Sequence, residues 1–150
     1  MPQSYSGLYI HLIFSTKNRA NWISRDVQEP FHTHLGFNLK EVGCVPVIIN
    51  SVADHVHVLF ELSRTIAISD VVQQIKAKSS QWMKKQDQTL EGFAWQKGYG
   101  AFTVSMSQVE TVSQYIMNQE EHHRRQSFQD EYRQFPIRHN IAFDEKYIWE

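Results

Sequence analysis

His55 and His57 stand two positions apart in the run Ala53-Asp54-His55-Val56-His57-Val58-Leu59-Phe60-Glu61-Leu62. Val56, Val58, Phe60 and Leu62 alternate there with His55, His57, Leu59 and Glu61, which is the period of a β-strand. Strand side chains point to alternate faces, so both imidazoles emerge on one side and within reach of a common ion. Imidazole nitrogen is a good ligand for divalent metals, and a strand holds its two copies rigidly. Two ligands are half of a metal site, and paired histidines also serve as ordinary surface residues.

The other half can come from a later segment, Ser113-Gln-Tyr115-Ile-Met-Asn-Gln119-Glu-Glu-His-His. Tyr115 and Gln119 are four residues apart, so on a helix they stack on one face, one turn above the other. Val109, Val112 and Ile116 mark the neighbouring apolar stripe. Helical periodicity alone makes Tyr115 a boundary residue with a packed ring and a wet hydroxyl. Beside a histidine pair there is a chemical alternative, in which Gln119 gives a neutral oxygen as third metal ligand and Tyr115 gives a nucleophile. His122 and His123 follow Gln119 closely, but with Arg124 and Arg125 they read as a basic, exposed helix end.

The elements that must position these groups follow from pattern. Residues 8–16, rich in β-branched and aromatic types, predict a first strand, with His11 on it as a sheet-face neighbour of the histidine pair. Ser24 stands where a helix to about Val42 would be capped, with Val27, Phe31, Leu35, Leu39 and Val42 on one stripe and Gly43 as its stop. Pro30 inside that pattern predicts a late start or a kink. Residues 45–52 form a second strand, with Pro46 at its start or on an edge. The break at Ala53-Asp54 is short enough to make an antiparallel hairpin with the strand of His55 and His57. A second helix covers about 70–86, with Val71, Val72, Ile75, Ser79, Trp82 and Met83 inward. One or two short strands lie between Gly92 and Val104, and Ser107-Gln108-Val109-Glu110 has the form of a capping box opening a third helix. Residues 128–150 read as an irregular tail. The order β-α-β-β-α-β plus a helix predicts an α+β sandwich of the ferredoxin-like, split βαβ kind, an antiparallel sheet with helices packed on it. With no internal repeat or linker, residues 1–150 make a single domain.

Composition sets the bounds. A chain of 150 residues with 41% hydrophobic and 13% aromatic content builds one substantial core. Fifteen basic and 16 acidic residues give a net charge of −1, so any nucleic-acid surface is local rather than general. The lone Cys44 excludes an internal disulfide and a cysteine-based zinc framework, and fits a small buried residue in a reducing cytoplasm. No apolar run has the length of a membrane span, no signal-peptide pattern opens the chain, and no glycine-rich loop cradles a nucleotide.

A strand-borne His-hydrophobic-His followed by a helical Tyr-Ile-x-Asn-Gln resembles the HUH, single-tyrosine transposases of small bacterial insertion sequences, which include palindrome-associated tyrosine transposases. The likeness runs along nearly the whole chain: Tyr9-Ile-His-Leu-Ile-Phe-Ser-Thr-Lys17-Asn-Arg19 is similar to the family's first strand and basic exit. Ile75-Lys76-Ala-Lys78-Ser79-Ser80 is similar to its second helix, Trp95-Gln-Lys-Gly-Tyr99-Gly-Ala-Phe to its penultimate strand, and Ile141-Ala-Phe-Asp144-Glu145-Lys-Tyr147-Ile-Trp149 to the tail of one branch.

The resemblance implies a DNA transposase, a metal-dependent endonuclease and strand transferase acting on single-stranded DNA at hairpin-marked ends. Tyr115 would be the nucleophile, forming a 5′-phosphotyrosine bond; His55, His57 and Gln119 would hold Mg²⁺ or Mn²⁺. It implies a homodimer whose tyrosine helix can complete the neighbour's site, with Tyr115 supplied from either chain and the trans arrangement favoured over the cis one in the active form. It also favours DNA contacts by Lys17, Arg19, Lys76 and Lys78, although a solvated helix face explains the α-helical lysines equally well. Trp95 and Tyr99 are candidate stacking platforms for unpaired bases, and Trp95 is equally a core residue. Two other functions compete. One is a non-catalytic or domesticated hairpin-binding protein acting on repeated palindromes. The other is a metal-dependent hydrolase, for which Glu61, on the strand face of the histidines, is the candidate general base.

Overall fold

Strand alternation settles the architecture. In the computed structural model, which describes residues 3–118, β1 (Tyr9–Ser15) and β3 (His55–Glu61) lie side by side at the centre of one antiparallel sheet. β2 (Val45–Ser51) pairs with the outer side of β3 and β4 (Gly100–Val104) with the outer side of β1, giving the order β2-β3-β1-β4. β3 is thus inserted between the two strands joined by α1 (Arg25–Glu41), which is the split βαβ arrangement. α2 (Ile68–Gln86) leads from β3 to the β4 region, and α3 (Val109–Met117) follows β4.

Even-numbered residues of the central strands face α1 and α2. Leu12, Phe14, Val56, Val58 and Phe60 join Phe31, Leu35, Leu39, Val71, Ile75 and Met83 in one buried apolar cluster. Each fully buried large side chain of this kind contributes about 1.5–3 kcal/mol through burial. Odd-numbered residues, including His11, Ile13, His55 and His57, face the other way, and all four are buried. α3 packs on that second face, against β2 and β3. No described helix is long and apolar enough to cross a membrane.

The boundaries follow local chemistry. α1 starts at Arg25 and passes through Pro30 rather than starting late; Ser24 occupies the cap position without making a side-chain cap bond. Proline at the sixth helical residue lacks the N–H that would have bonded the Asp26 carbonyl, and the helix continues past it. Gly43 ends the helix at φ +81°, a conformation glycine adopts freely. The short break between β2 and β3 is the expected hairpin, closed by the Val52 N–H donating to the His55 carbonyl at 3.1 Å. Pro46 lies on an edge strand beside an irregularity in register between Pro46 and Ile48. The 92–104 region yields one strand, with an isolated bridge from Trp95 to Thr16.

The capping box does not form. Residues 106–108 make a 3₁₀ turn that runs into α3, so Ser107 is already inside helical backbone and cannot occupy an N-cap. Its hydroxyl meets Ser105 Oγ at 3.2 Å, while Glu110 accepts a bond from Gln114 Nε2 at 3.1 Å.

Candidate active site

Sheet pairing brings together three histidines, not two. Ile13 of β1 stands opposite His57, and His11 opposite Leu59, so His11 and His57 are diagonal neighbours on one face. Their rings span the diagonal: His11 Nε2 lies 2.8 Å from His57 Nδ1. The rings of His55 and His57 are 5.3 Å apart, as two odd positions of one strand should be. His55 Nδ1 lies 2.8 Å from Asp54 Oδ1, in the hairpin turn. That turn is itself pinned to the end of β1, where Thr16 N–H donates to the Asp54 carbonyl at 2.8 Å.

These contacts bear on whether the residues suit a metal. Both histidines use Nδ1 within the protein, so Nε2 is the nitrogen through which each would hold an ion. A carboxylate on one Nδ1 and an imidazole on the other is the outer-shell support that orients ligating rings. For His57 to bind through Nε2, its Nδ1 must carry the proton and donate to His11 Nε2. Two oriented, buried imidazoles on one face therefore fit a divalent ion as a partial site. Among the described residues, no group of three His, Cys, Asp or Glu side chains converges on such a site. Gln119, expected as the third ligand, lies outside the described residues, as do His122, His123 and Tyr147.

The half-buried Tyr115 reaches this face from α3. Its ring centroid is 6.1 Å from that of His57 and 6.3 Å from that of His11, edge-on to both. It packs on a small apolar cluster of Ile13 and Phe102, while Ile116, the next residue, is fully buried. The helical tyrosine and the strand histidines are thus neighbours in space, within one chain. A family model described as "Transposase IS200 like" matches residues 4–119, a span holding all of these groups. The chain belongs to the IS200-like transposase family.

Solved structures agree with that assignment. A protein from Deinococcus radiodurans R1, described as "a putative transposase", is 26% identical, with a TM-score of 0.61 over 79% of this chain and 96% of its own. A REP-associated tyrosine transposase, solved bound to a REP hairpin, shares the fold at 12% identity and a TM-score of 0.58, over 82% of this chain and 74% of its own. Among curated proteins no match is found.

The remaining expected site residues of this transposase are placed less uniformly. Lys17 and Arg19 lie in a 3₁₀ turn directly after β1, with Asn18 and Arg19 at φ +57° and +53°. Lys17 is exposed and Arg19 partly so. Lys76 is turned inward: its ammonium donates to the carbonyls of Gln96 at 2.9 Å and Gly98 at 2.6 Å. It also lies 5.5 Å from the Phe14 ring centre and 6.0 Å from that of Tyr99. Burial lowers its pKa to about 8. The lysine thus holds the 96–98 loop, and a DNA phosphate would have to compete with two carbonyls for it. Lys78 meets Glu41 at 3.4 Å on the surface, a pair worth about 0–1 kcal/mol.

Trp95 is partly buried and packs against the core. Its ring lies 4.7 Å from Phe14, 4.8 Å from Phe93 and 5.7 Å from Phe31, and its Nε1 donates to Ser79 Oγ at 3.0 Å. Tyr99 is 37% exposed and can present a ring face to solvent. Glu61 sits four residues beyond His57 at the far end of β3, about 13 Å away by strand rise. That distance removes it from proton transfer at the histidines.

Asp54 is the site residue that sequence reasoning missed, whereas His11, expected as a sheet-face neighbour of the pair, is found there in contact with His57. The signal for His11 was present, since it shares the odd face of β1 with Ile13. Its contact with His57 joins residues 46 positions apart and depends on strand register.

Proposed function

We propose that this chain is a single-strand DNA strand transferase that cuts and rejoins DNA at hairpin-marked ends through Tyr115. The observation that carries this reading is the edge-on packing of Tyr115 against His57 and His11 on the second face of the sheet. The phenolic oxygen attacks a backbone phosphorus; the new Tyr–O–P bond forms as the P–O3′ bond breaks. The products are a free 3′-hydroxyl and a 5′-phosphotyrosine. Keeping the phosphate in an ester conserves the bond energy for rejoining, so no nucleotide cofactor is needed. His55, His57 and Gln119 would hold Mg²⁺ or Mn²⁺, which when bound supplies Lewis-acid polarisation of the scissile phosphate and fixes its orientation. Asp54 and His11, each in contact with a ring Nδ1, would leave Nε2 of both rings to such an ion, and α3 keeps the phenol beside them.

Hairpin DNA as substrate rests on the family and on the related fold solved with a REP hairpin. Lys17 and Arg19, beside the Asp54 end of the site, are placed to meet a phosphate backbone, and Tyr99 to stack on an unpaired base. The ordered Asp54–His55 and His11–His57 contacts favour a catalytic protein, mobile or domesticated, over a non-catalytic binder. The lone Cys44 fits a cytoplasmic protein.

Labelled hairpin-bearing single strands incubated with Mn²⁺ should give a covalent adduct on a denaturing gel. Tyr115→Phe should abolish it while hairpin binding stays within about twofold, since only one oxygen is removed. A hydrolase would instead release cut DNA without an adduct. The active form proposed is a homodimer in which α3 of each subunit takes, on the partner's sheet, the place it takes here on its own, and such an exchange is a low-cost route to a two-fold assembly. Mixing His57→Ala chains with Tyr115→Phe chains should then restore one working site per heterodimer. A strictly cis enzyme would stay inactive.

A further inference from the structure

The end of β2 joins the two sides of the sheet. Asn50 and Ser51 are consecutive strand residues, so their side chains point to opposite faces. Ser51 is buried on the helix side, where its hydroxyl lies 2.7 Å from His32 Nε2 of α1 and its carbonyl accepts a bond from Gln28. Asn50 points to the other face. It stands opposite His57 in register, and its side-chain amide donates to the carbonyls of Ile116 at 2.8 Å and Met117 at 3.2 Å. Its Oδ1 accepts from the Ser51 N–H at 3.0 Å, which fixes the amide's orientation.

The last four carbonyls of a helix have no intrahelical donors, and α3 has only nine residues. A helix that short is marginal without tertiary support. Asn50 satisfies two of those four carbonyls, in the turn that carries Tyr115, from a strand position abreast of His57. Gln28 and His32 tie the same β2 segment to α1, so the clasp is anchored to the folded core rather than to a fraying edge. We infer that Asn50 is a positioning residue: its amide holds the last turn of α3 on the sheet and so sets Tyr115 beside the histidines. This rests on the proposed nucleophilic role of Tyr115, and the clasp acts in the same way when α3 docks, exchanged, on the partner's sheet.

Two variants remove the clasp without adding charge: Asn50→Leu keeps the branched outline of the side chain, and Asn50→Ala truncates it. In the full chain with Mn²⁺ and hairpin-bearing single-stranded DNA, both should lower the adduct-forming rate at saturating DNA by about tenfold or more, because misplaced reacting atoms are costly. Hairpin affinity should stay within about twofold, so the loss falls on turnover and not on binding. Amide hydrogen exchange should quicken in residues 110–118 and remain as in the wild type in β1 and β3. Unchanged exchange of α3 in both variants, or an unchanged adduct rate despite faster exchange, would overturn the inference. If the wild-type chain makes no adduct at all, the proposed function fails, and the exchange of α3 then decides the clasp by itself.

Discussion

The two faces of one sheet do different work in this protein, and β3 contributes to both. Val56, Val58 and Phe60 are fully buried against α1 and α2, in an apolar layer of large, interlocking side chains. His55 and His57, the residues between and before them, are equally buried but face a polar cluster with a small apolar patch of Ile13, Phe102 and Tyr115. One face holds the fold; the other spends burial on orienting imidazoles. A period of two therefore lets a single seven-residue strand carry stability and chemistry with little overlap between them.

Substitutions on the two faces should separate accordingly. On the helix side, Phe60→Ala removes a fully buried ring from the main core and should cost about 3–5 kcal/mol in denaturant unfolding. Whatever fraction remains folded should still form adduct. On the histidine side, His57→Ala should lower metal-dependent cleavage by about 100-fold or more, while its unfolding midpoint moves less than that of Phe60→Ala. Equal losses of stability from the two substitutions would erase the distinction between the faces.

A smaller effect concerns pH. Burial lowers the pKa of His32 from 6.5 to about 4. The unfolded chain then binds a proton at this histidine that the folded chain does not, between those two values. Stability should be intact above about pH 6.5 and decline progressively as pH falls toward 4. His32→Gln, which cannot charge, should flatten that part of the curve in urea titrations at stepped pH. A slope unchanged by the substitution would assign the acid sensitivity to other groups.

Much of this molecule was legible in its sequence because its signals are local and periodic. Alternation in Ala53–Leu62 gave the strand and the shared face of His55 and His57; the stripe of Phe31, Leu35 and Leu39 gave α1 despite Pro30. What was not legible depends on distant partners. Ser107 and Glu110 have the spacing of a capping box, yet the backbone entering α3 is already a 3₁₀ turn. Lys76 looks like a surface cation on its helix, and only the approach of the 96–98 carbonyls turns it inward. Trp95 offered core and stacking readings alike, and only the approach of three phenylalanines packs its ring against the core. Asn50 owes its role to strand register and to the docking of α3, neither of which a residue pattern specifies. The place of His11 beside the pair was legible, and only its bond to His57 was not.

The central claim is that the tyrosine of α3 and the histidines of β3 form one reactive site. It is tested most directly by trapping the protein–DNA adduct, digesting the protein and locating the nucleotide by mass spectrometry. The account predicts a phosphodiester on Tyr115 in the wild-type chain and its loss in His57→Ala. Attachment at another residue such as Tyr147, or cleavage that leaves no adduct, would contradict it.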